Sequence, residues 1–209
     1  MRSIIDKEII KEFWAEKAKE KSNRWSGNSI LEYEQNLLDP YVKRANKVID
    51  LGCGHGELSR SIVDEYTYLL GVDYIQDYEN SFNKANQNFV CSSLDDYKPV
   101  EAFDLALLFG VVTYLNTEEE NNIYYLLSKC ISPTGLAVVK NQCSRDKEFI
   151  FNGHSEALKS SYSARYPEYD KQINKLRHWF NDIKAIKYPE ELNKWENTFH
   201  VAFFCSQKS

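Results

Sequence analysis

The sequence predicts an α/β fold: a doubly wound, seven-stranded sheet with an antiparallel last strand, preceded by N-terminal helices. Three observations carry this. Short apolar runs alternate with helical stretches from residue 47 onward, the pattern of a parallel sheet with crossover helices. A turn with three glycines in five residues follows the first run. The last two runs lie too close in sequence for a helical crossover, so they pair antiparallel.

The elements follow in order. Ile5, Ile9 and Phe13 recur at spacing four with charges between them, which predicts an amphipathic helix to about Glu20. A break at Ser26-Gly27-Asn28 precedes a second helix ending near Pro40. The strand runs are Lys47–Leu51, Tyr68–Val72, Phe89–Cys91, Phe103–Phe109, Leu136–Lys140, Ile183–Lys187 and Phe199–Cys205. Helices are expected at Glu57–Glu65, Gln76–Ala85 and Glu118–Cys130. The last of these opens on Thr117-Glu118-Glu119-Glu120, read as a capping box, and stops before Pro133 and Gly135.

Composition narrows the function. The 209 residues carry 26 basic and 31 acidic side chains, a net charge of −5. That balance argues against nucleic-acid and membrane-surface binding, which rest on a basic excess. No run approaches the roughly 20 apolar residues that span a bilayer, and the first residues lack the apolar core of a signal peptide. Cys53, Cys91, Cys130, Cys143 and Cys205 are scattered and form no C-x-x-C pair, so a reduced, cytoplasmic protein without a metal site is expected. The charge is uneven: residues 51–139 sum to −9 and residues 140–178 to +3.

The chemistry gathers at Val48-Ile49-Asp50-Leu51-Gly52-Cys53-Gly54-His55-Gly56-Glu57. Glycines there admit positive φ and let a ligand approach the backbone, and a following helix N-terminus favours an anionic group. Two ligand classes compete. A dinucleotide fold asks for G-x-G-x-x-G, and position 57 is Glu. Asp73 closes the second strand, where a carboxylate can bridge ribose hydroxyls in either class. Asp50 and Glu57 favour a ligand without pyrophosphate.

From about residue 48 to 140 the chain resembles class I S-adenosylmethionine-dependent methyltransferases, with their Rossmann-like core, in the pattern V-I-D-L-G-C-G-x-G. The resemblance implies S-adenosyl-L-methionine as cofactor. It places Gly52, Cys53, Gly54 and Gly56 at the amino-acid end, with Asp50 supporting the loop. Asp73 would hold the ribose, and Tyr74 and Ile75 would flank the adenine. Ser93 stands where many relatives carry an adenine-binding Asp, and the contact passes to Leu94 or Asp95. The segment from Phe109 to Tyr114 would line the methyl. The chain is expected as one domain: residues 1–45 a helical lid bearing Trp14 and Trp25, 46–140 the cofactor core, and 141–209 the acceptor-side insertion and final strands.

Ligands of an open parallel sheet lie beyond the carboxyl ends of its strands, which puts the +3 segment on the acceptor side. Arg145 and Arg165 are the candidate anion grips, with Tyr162 and Trp195 as acceptor contacts; Lys159, Lys171 and Lys175 are expected to coat a solvated helix. A protonated nucleophile needs a base, for which His154, His200 and Tyr114 are the candidates. His55 and His178 are read as bystanders. The ending around Glu190–Phe199 is similar to small methyltransferases of bacterial capsule and O-antigen biosynthesis. The expected function is therefore methyl transfer to oxygen, in preference to nitrogen, of a small polar anionic metabolite or glycan, including a sugar or phosphoramidate group of a surface polysaccharide. The rivals are a catalytically inactive methyltransferase-like binding or regulatory module and a nicotinamide oxidoreductase.

Overall fold

The sheet is ordered β3-β2-β1-β4-β5-β9-β8. The computed structural model describes residues 5–20, 28–156 and 159–207. Its strands are β1 (Lys47–Leu51), β2 (Tyr68–Asp73), β3 (Gln87–Cys91), β4 (Phe103–Phe109), β5 (Ile131–Ser144), β6 (Phe149–Ser155), β7 (Ser160–Tyr166), β8 (Asp182–Lys187) and β9 (Thr198–Ser206). β9 runs antiparallel to both its neighbours, and all other pairings in this sheet are parallel. The expected seven-stranded architecture with a reversed last strand is therefore present, and all seven predicted runs are its strands.

Both faces of the sheet are covered, which is why its strands read as continuous apolar runs rather than alternating ones. Ile49, Leu51, Leu70 and Val72 pack on one side with Ile123 and Leu127 of α4 (Thr117–Cys130). Val48, Leu69, Leu105 and Leu107 pack on the other with Ile30, Leu38 and Val42 of α2 (Asn28–Val42). α2 ends at Val42, two residues past Pro40 and so near the expected boundary, with Leu38 and Val42 buried. The cap of α4 is Asn116, not Thr117: its side chain accepts from the N–H groups of Glu118 and Glu119, and Glu119 answers at the Asn116 N–H.

The helices of two crossovers are shorter than their sequence suggests. The stretch expected as a helix over 57–65 forms only α3 (Ser59–Ile62), and 76–85 forms a 3₁₀ turn at Gln76–Ser81. The gaps, residues 52–67 and 74–86, are long enough for a parallel crossover, but most of each is irregular backbone instead of helix.

The region after β5 holds an unpredicted feature. β6 and β7 form a separate antiparallel hairpin, followed by α5 (Tyr169–Leu176). α1 (Lys7–Lys17), capped by Asp6, lies against this hairpin: the Asp6 N–H donates to Ser163 Oγ at 2.9 Å. Its buried face is Ile10 and Phe13, with Ile9 half-buried. Phe13, Tyr162, Ala164 and Tyr166 form a small third cluster with Trp14 and Tyr114 at its edge. Trp25 lies outside the described residues. No helix among the described residues is long and apolar enough to cross a membrane.

Candidate active site

A cavity of about 640 Å³ opens over the carboxyl ends of β1, β2, β4 and β5 and the start of β9, a size typical of small-ligand sites. Its position follows from the topology: strand order reverses between β1 and β4, and the loops leaving them diverge. α1 and the hairpin roof it through Ile10, Trp14 and Tyr162.

At one end the glycine loop is drawn against β2. Gly54 donates its N–H to Asp73 Oδ2 at 3.0 Å, and Ile75 donates to Asp73 Oδ1 at 3.1 Å. Asp73 is 7% exposed. Burial pushes its carboxyl above the usual range, against the Gly54, Ile75 and Tyr74 N–H groups and His55, which favour the charged form. A carboxylate offers about four lone-pair sites, so Asp73 keeps capacity for ligand hydroxyls. Gly52 holds φ at +70°, and a Cβ there would collide with Val111. The cradle thus requires its glycine both for conformation and for space.

Most residues expected at this end do line the cavity: Asp50, Gly52, Cys53, Gly54, Asp73, Tyr74, Ile75, Ser93, Leu94 and Phe109. Gly56 does not; its φ of +64° and the Phe82 ring against it make it a packing glycine. The Ser93 hydroxyl is turned away to Asp96 Oδ2 at 2.7 Å, whereas Asp95 is exposed on the rim. His55 meets Ser81 Oγ at 3.0 Å and the Tyr78 ring edge-on. Cys53 is half-buried beside Asp50 and Asp73; desolvation first, then these two carboxylates, pushes its thiol well up.

The opposite end differs from the expectation. Arg165 is not an acceptor grip: it is 2% exposed, its guanidinium meets Glu120 at 2.6 Å and Glu148 at 2.9 Å, and its Nε donates to the Leu115 carbonyl. Those bonds consume the fork that an anion would need. Arg145 lies outside the cavity, paired with Glu190 beside a small second pocket. His154 is exposed on β6 and does not reach the cavity. Lys175 is not a solvated coat either, since it reaches Glu120 at 2.5 Å. The positive groups that line the site are Lys7, Lys11, Lys140 and Lys194. Lys140 lies 3.6 Å from buried Glu34, which also accepts from the Tyr188 hydroxyl at 3.2 Å. The sequence marks α1 only through Trp14, as part of a helical lid, and does not mark Glu34. The spacing of Ile30 and Glu34 on one face of α2 was the available signal.

Tyr114, Tyr162, Trp195 and His200 do line the cavity. The Tyr114 and Tyr162 hydroxyls are 3.2 Å apart, and Trp14 stands edge-on to Tyr114 at 5.4 Å. Burial pushes the Tyr114 phenol far up, so it is a neutral hydrogen-bonding group. Trp195, 38% exposed, sits edge-on to Tyr166. Burial, then Lys140 and Lys194, drive His200 down to about 3. A base that weak is far from the matched value for proton abstraction near neutrality.

Residues 49–149 match the family described as Methyltransferase domain. A phosphoethanolamine N-methyltransferase of Plasmodium falciparum (isolate 3D7) is 25% identical over 119 residues, covering 54% of this chain and 45% of that protein. The matched stretch is thus less than half of the curated relative's length. Among solved structures, the 1,6-didemethyltoxoflavin-N1-methyltransferase of Burkholderia thailandensis, with bound 1,6-didemethyltoxoflavin and S-adenosylhomocysteine, superposes with a TM-score of 0.76 at 14% identity, over 96% of this chain and 88% of that one. The [4+2]-cyclase SpnF superposes with a TM-score of 0.63 at 13% identity, over 84% and 81%. Such likenesses establish the fold, and the cyclase among them shows that this fold carries more than one reaction.

Proposed function

We propose that this chain, a class I S-adenosylmethionine-dependent methyltransferase by its fold and by its methyltransferase-domain match over residues 49–149, transfers a methyl group to an anionic oxygen of a small polar acceptor. The observation that carries the reading is the Gly54–Asp73 clasp, which heads a cavity whose far end gathers Lys140 and Lys194 around His200. When bound, S-adenosylmethionine supplies a methyl on a sulfonium centre. Asp73 would hold the ribose hydroxyls, and Asp50 and Glu57 suit the cofactor's positive charge. Tyr74, Ile75 and Leu94 would enclose the adenine.

The acceptor end works by positioning. A suitably held pair of reactants gains up to about 7–11 kcal/mol from orientation alone. His200 is a poor base, and Tyr114 keeps its proton. An acceptor that arrives already deprotonated therefore suits the site, and the lysines favour its negative charge. A sugar acid, a phosphate ester or a phosphoramidate, including one from a capsule or O-antigen glycan, has this chemistry. A second reading, transfer to nitrogen, is favoured by the N-methyltransferases among the similar proteins. The five free thiols support action in the reducing cytoplasm.

The test is incubation of the protein with S-adenosylmethionine carrying an isotopically labelled methyl and a panel of sugar acids, sugar phosphates, phosphoramidates and amines. Labelled product matched by S-adenosylhomocysteine is the expected outcome. Label on an amine selects the second reading. Cofactor binding with no labelled product across the panel supports a non-catalytic binding module.

A further inference from the structure

The floor of the cavity carries a polar group whose direction is fixed from beneath. Asn141, on β5, is 0% exposed and lines the cavity. Its Nδ2 faces Gln172 Oε1 at 3.5 Å, and its Oδ1 has no partner among the described residues. An unpaired buried amide oxygen is costly, and native proteins tolerate few of them.

Amide orientation is an assignment that the surrounding network must justify, and here the network does so. Arg165 and Lys175 both meet Glu120 Oε2, at 2.6 and 2.5 Å. A carboxylate between two cations can only accept, so the Tyr124 hydroxyl donates to Glu120 Oε1 at 2.9 Å. Tyr124 therefore accepts from Gln172 Nε2 at 2.9 Å. That turns Gln172 Oε1 upward, where it also accepts from the Cys143 thiol at 3.0 Å. Asn141 must then present Nδ2 downward, which leaves its buried carbonyl oxygen without a partner at the cavity floor. The ion pair at Glu120 thus sets the polarity of a hydrogen-bond relay ending at the site.

We propose that Asn141 is a specificity-determining residue whose Oδ1 accepts a hydrogen bond from an O–H or N–H group of the methyl acceptor, so that the acceptor pairs an anionic group with a neighbouring donor. This rests on the methyltransferase reading above. The topology places the group on the acceptor side: β5 is two strands from β1 and its glycine loop, about 10 Å at the usual strand spacing. Lys194, which also lines the cavity, supplies the charge, and Asn141 reads the donor.

The test compares the whole protein with Asn141→Leu, both loaded with S-adenosylhomocysteine, by calorimetry with glycerol phosphate and with propyl phosphate. Wild type is expected to bind glycerol phosphate at least tenfold more tightly than propyl phosphate. The variant is expected to hold the two within twofold, to keep its S-adenosylhomocysteine affinity, and to melt no lower than wild type because a buried orphan oxygen has been removed. A preference retained in the variant, equal binding of the two phosphates by wild type, or binding of neither would overturn the assignment. A lower melting temperature with the preference intact would make Asn141 a structural residue. Wild type that fails to bind S-adenosylhomocysteine contradicts the methyltransferase reading itself, which separates the two failures. If Asn141→Leu does not fold, Asn141→Ala, which removes the acceptor oxygen without adding bulk or charge, must lose the preference.

Discussion

Gly54 and Asp73 lie nineteen residues apart, and a 3.0 Å hydrogen bond from the Gly54 N–H to Asp73 Oδ2 joins the glycine loop to the end of the second strand. The bond couples the two motifs that the sequence offered separately. It closes the head of the cavity and leaves the carboxylate with capacity for ligand hydroxyls.

The loop is intolerant of a single added methyl. Gly52→Ala must accommodate φ of +70° and drive Val111 aside. Strain of this kind costs about 1–3 kcal/mol. The expected result is a lower urea midpoint and loss of S-adenosylhomocysteine binding, read by denaturation and calorimetry.

His200 gives the fold a pH dependence. Its folded value is lowered from 6.5 to about 3. Between those values the unfolded chain binds a proton that the folded chain refuses, so stability rises with pH across the window and is lost as pH falls through it. Each unit of such a difference is worth about 1.4 kcal/mol. Melting temperatures measured from pH 7 down to pH 4 should fall less steeply for His200→Gln than for wild type.

Arg165 and Arg145 separate structural from exposed charge. Arg165→Met leaves Glu120 buried with one of its two cations and Glu148 without that contact. Breaking a buried pair costs about 3–5 kcal/mol. Arg145→Ala removes an exposed pair with Glu190 and should cost under about 1 kcal/mol. Urea denaturation of the two variants checks the contrast.

Much of this was legible in the sequence, for physical reasons that differ by element. Strands covered on both faces, such as Lys47–Leu51 and Phe103–Phe109, announce themselves because both sheet faces demand apolar side chains. The glycine loop shows because only glycine takes its conformations. The short crossovers did not show, since apolar spacing cannot say whether a turn continues into a helix. Arg165 looked like a ligand grip because its partner Glu120 lies 45 residues away, and long-range pairing leaves no local trace. The docking of α1 on the β6–β7 hairpin left no local trace for the same reason: Asp6 and Ser163 meet across 157 residues.

Lys194 is the cleanest test of the acceptor end. Lys194→Met should raise KM for any anionic acceptor found by labelled methyl transfer by about tenfold, the order expected for a charge-assisted bond. Steady-state kinetics should show the change in KM alone, with S-adenosylhomocysteine affinity unaltered.

The central claim is that the cavity headed by Asp73 holds the methyl donor. Calorimetric titration of S-adenosylhomocysteine into wild type and Asp73→Ala measures it directly. Saturable one-to-one binding by wild type, weakened at least about tenfold in the variant, is the expected result, since hydrogen bonds to a charged group are worth about 1.5–3 kcal/mol. Equal affinity in the two proteins, or no binding by wild type, would contradict it.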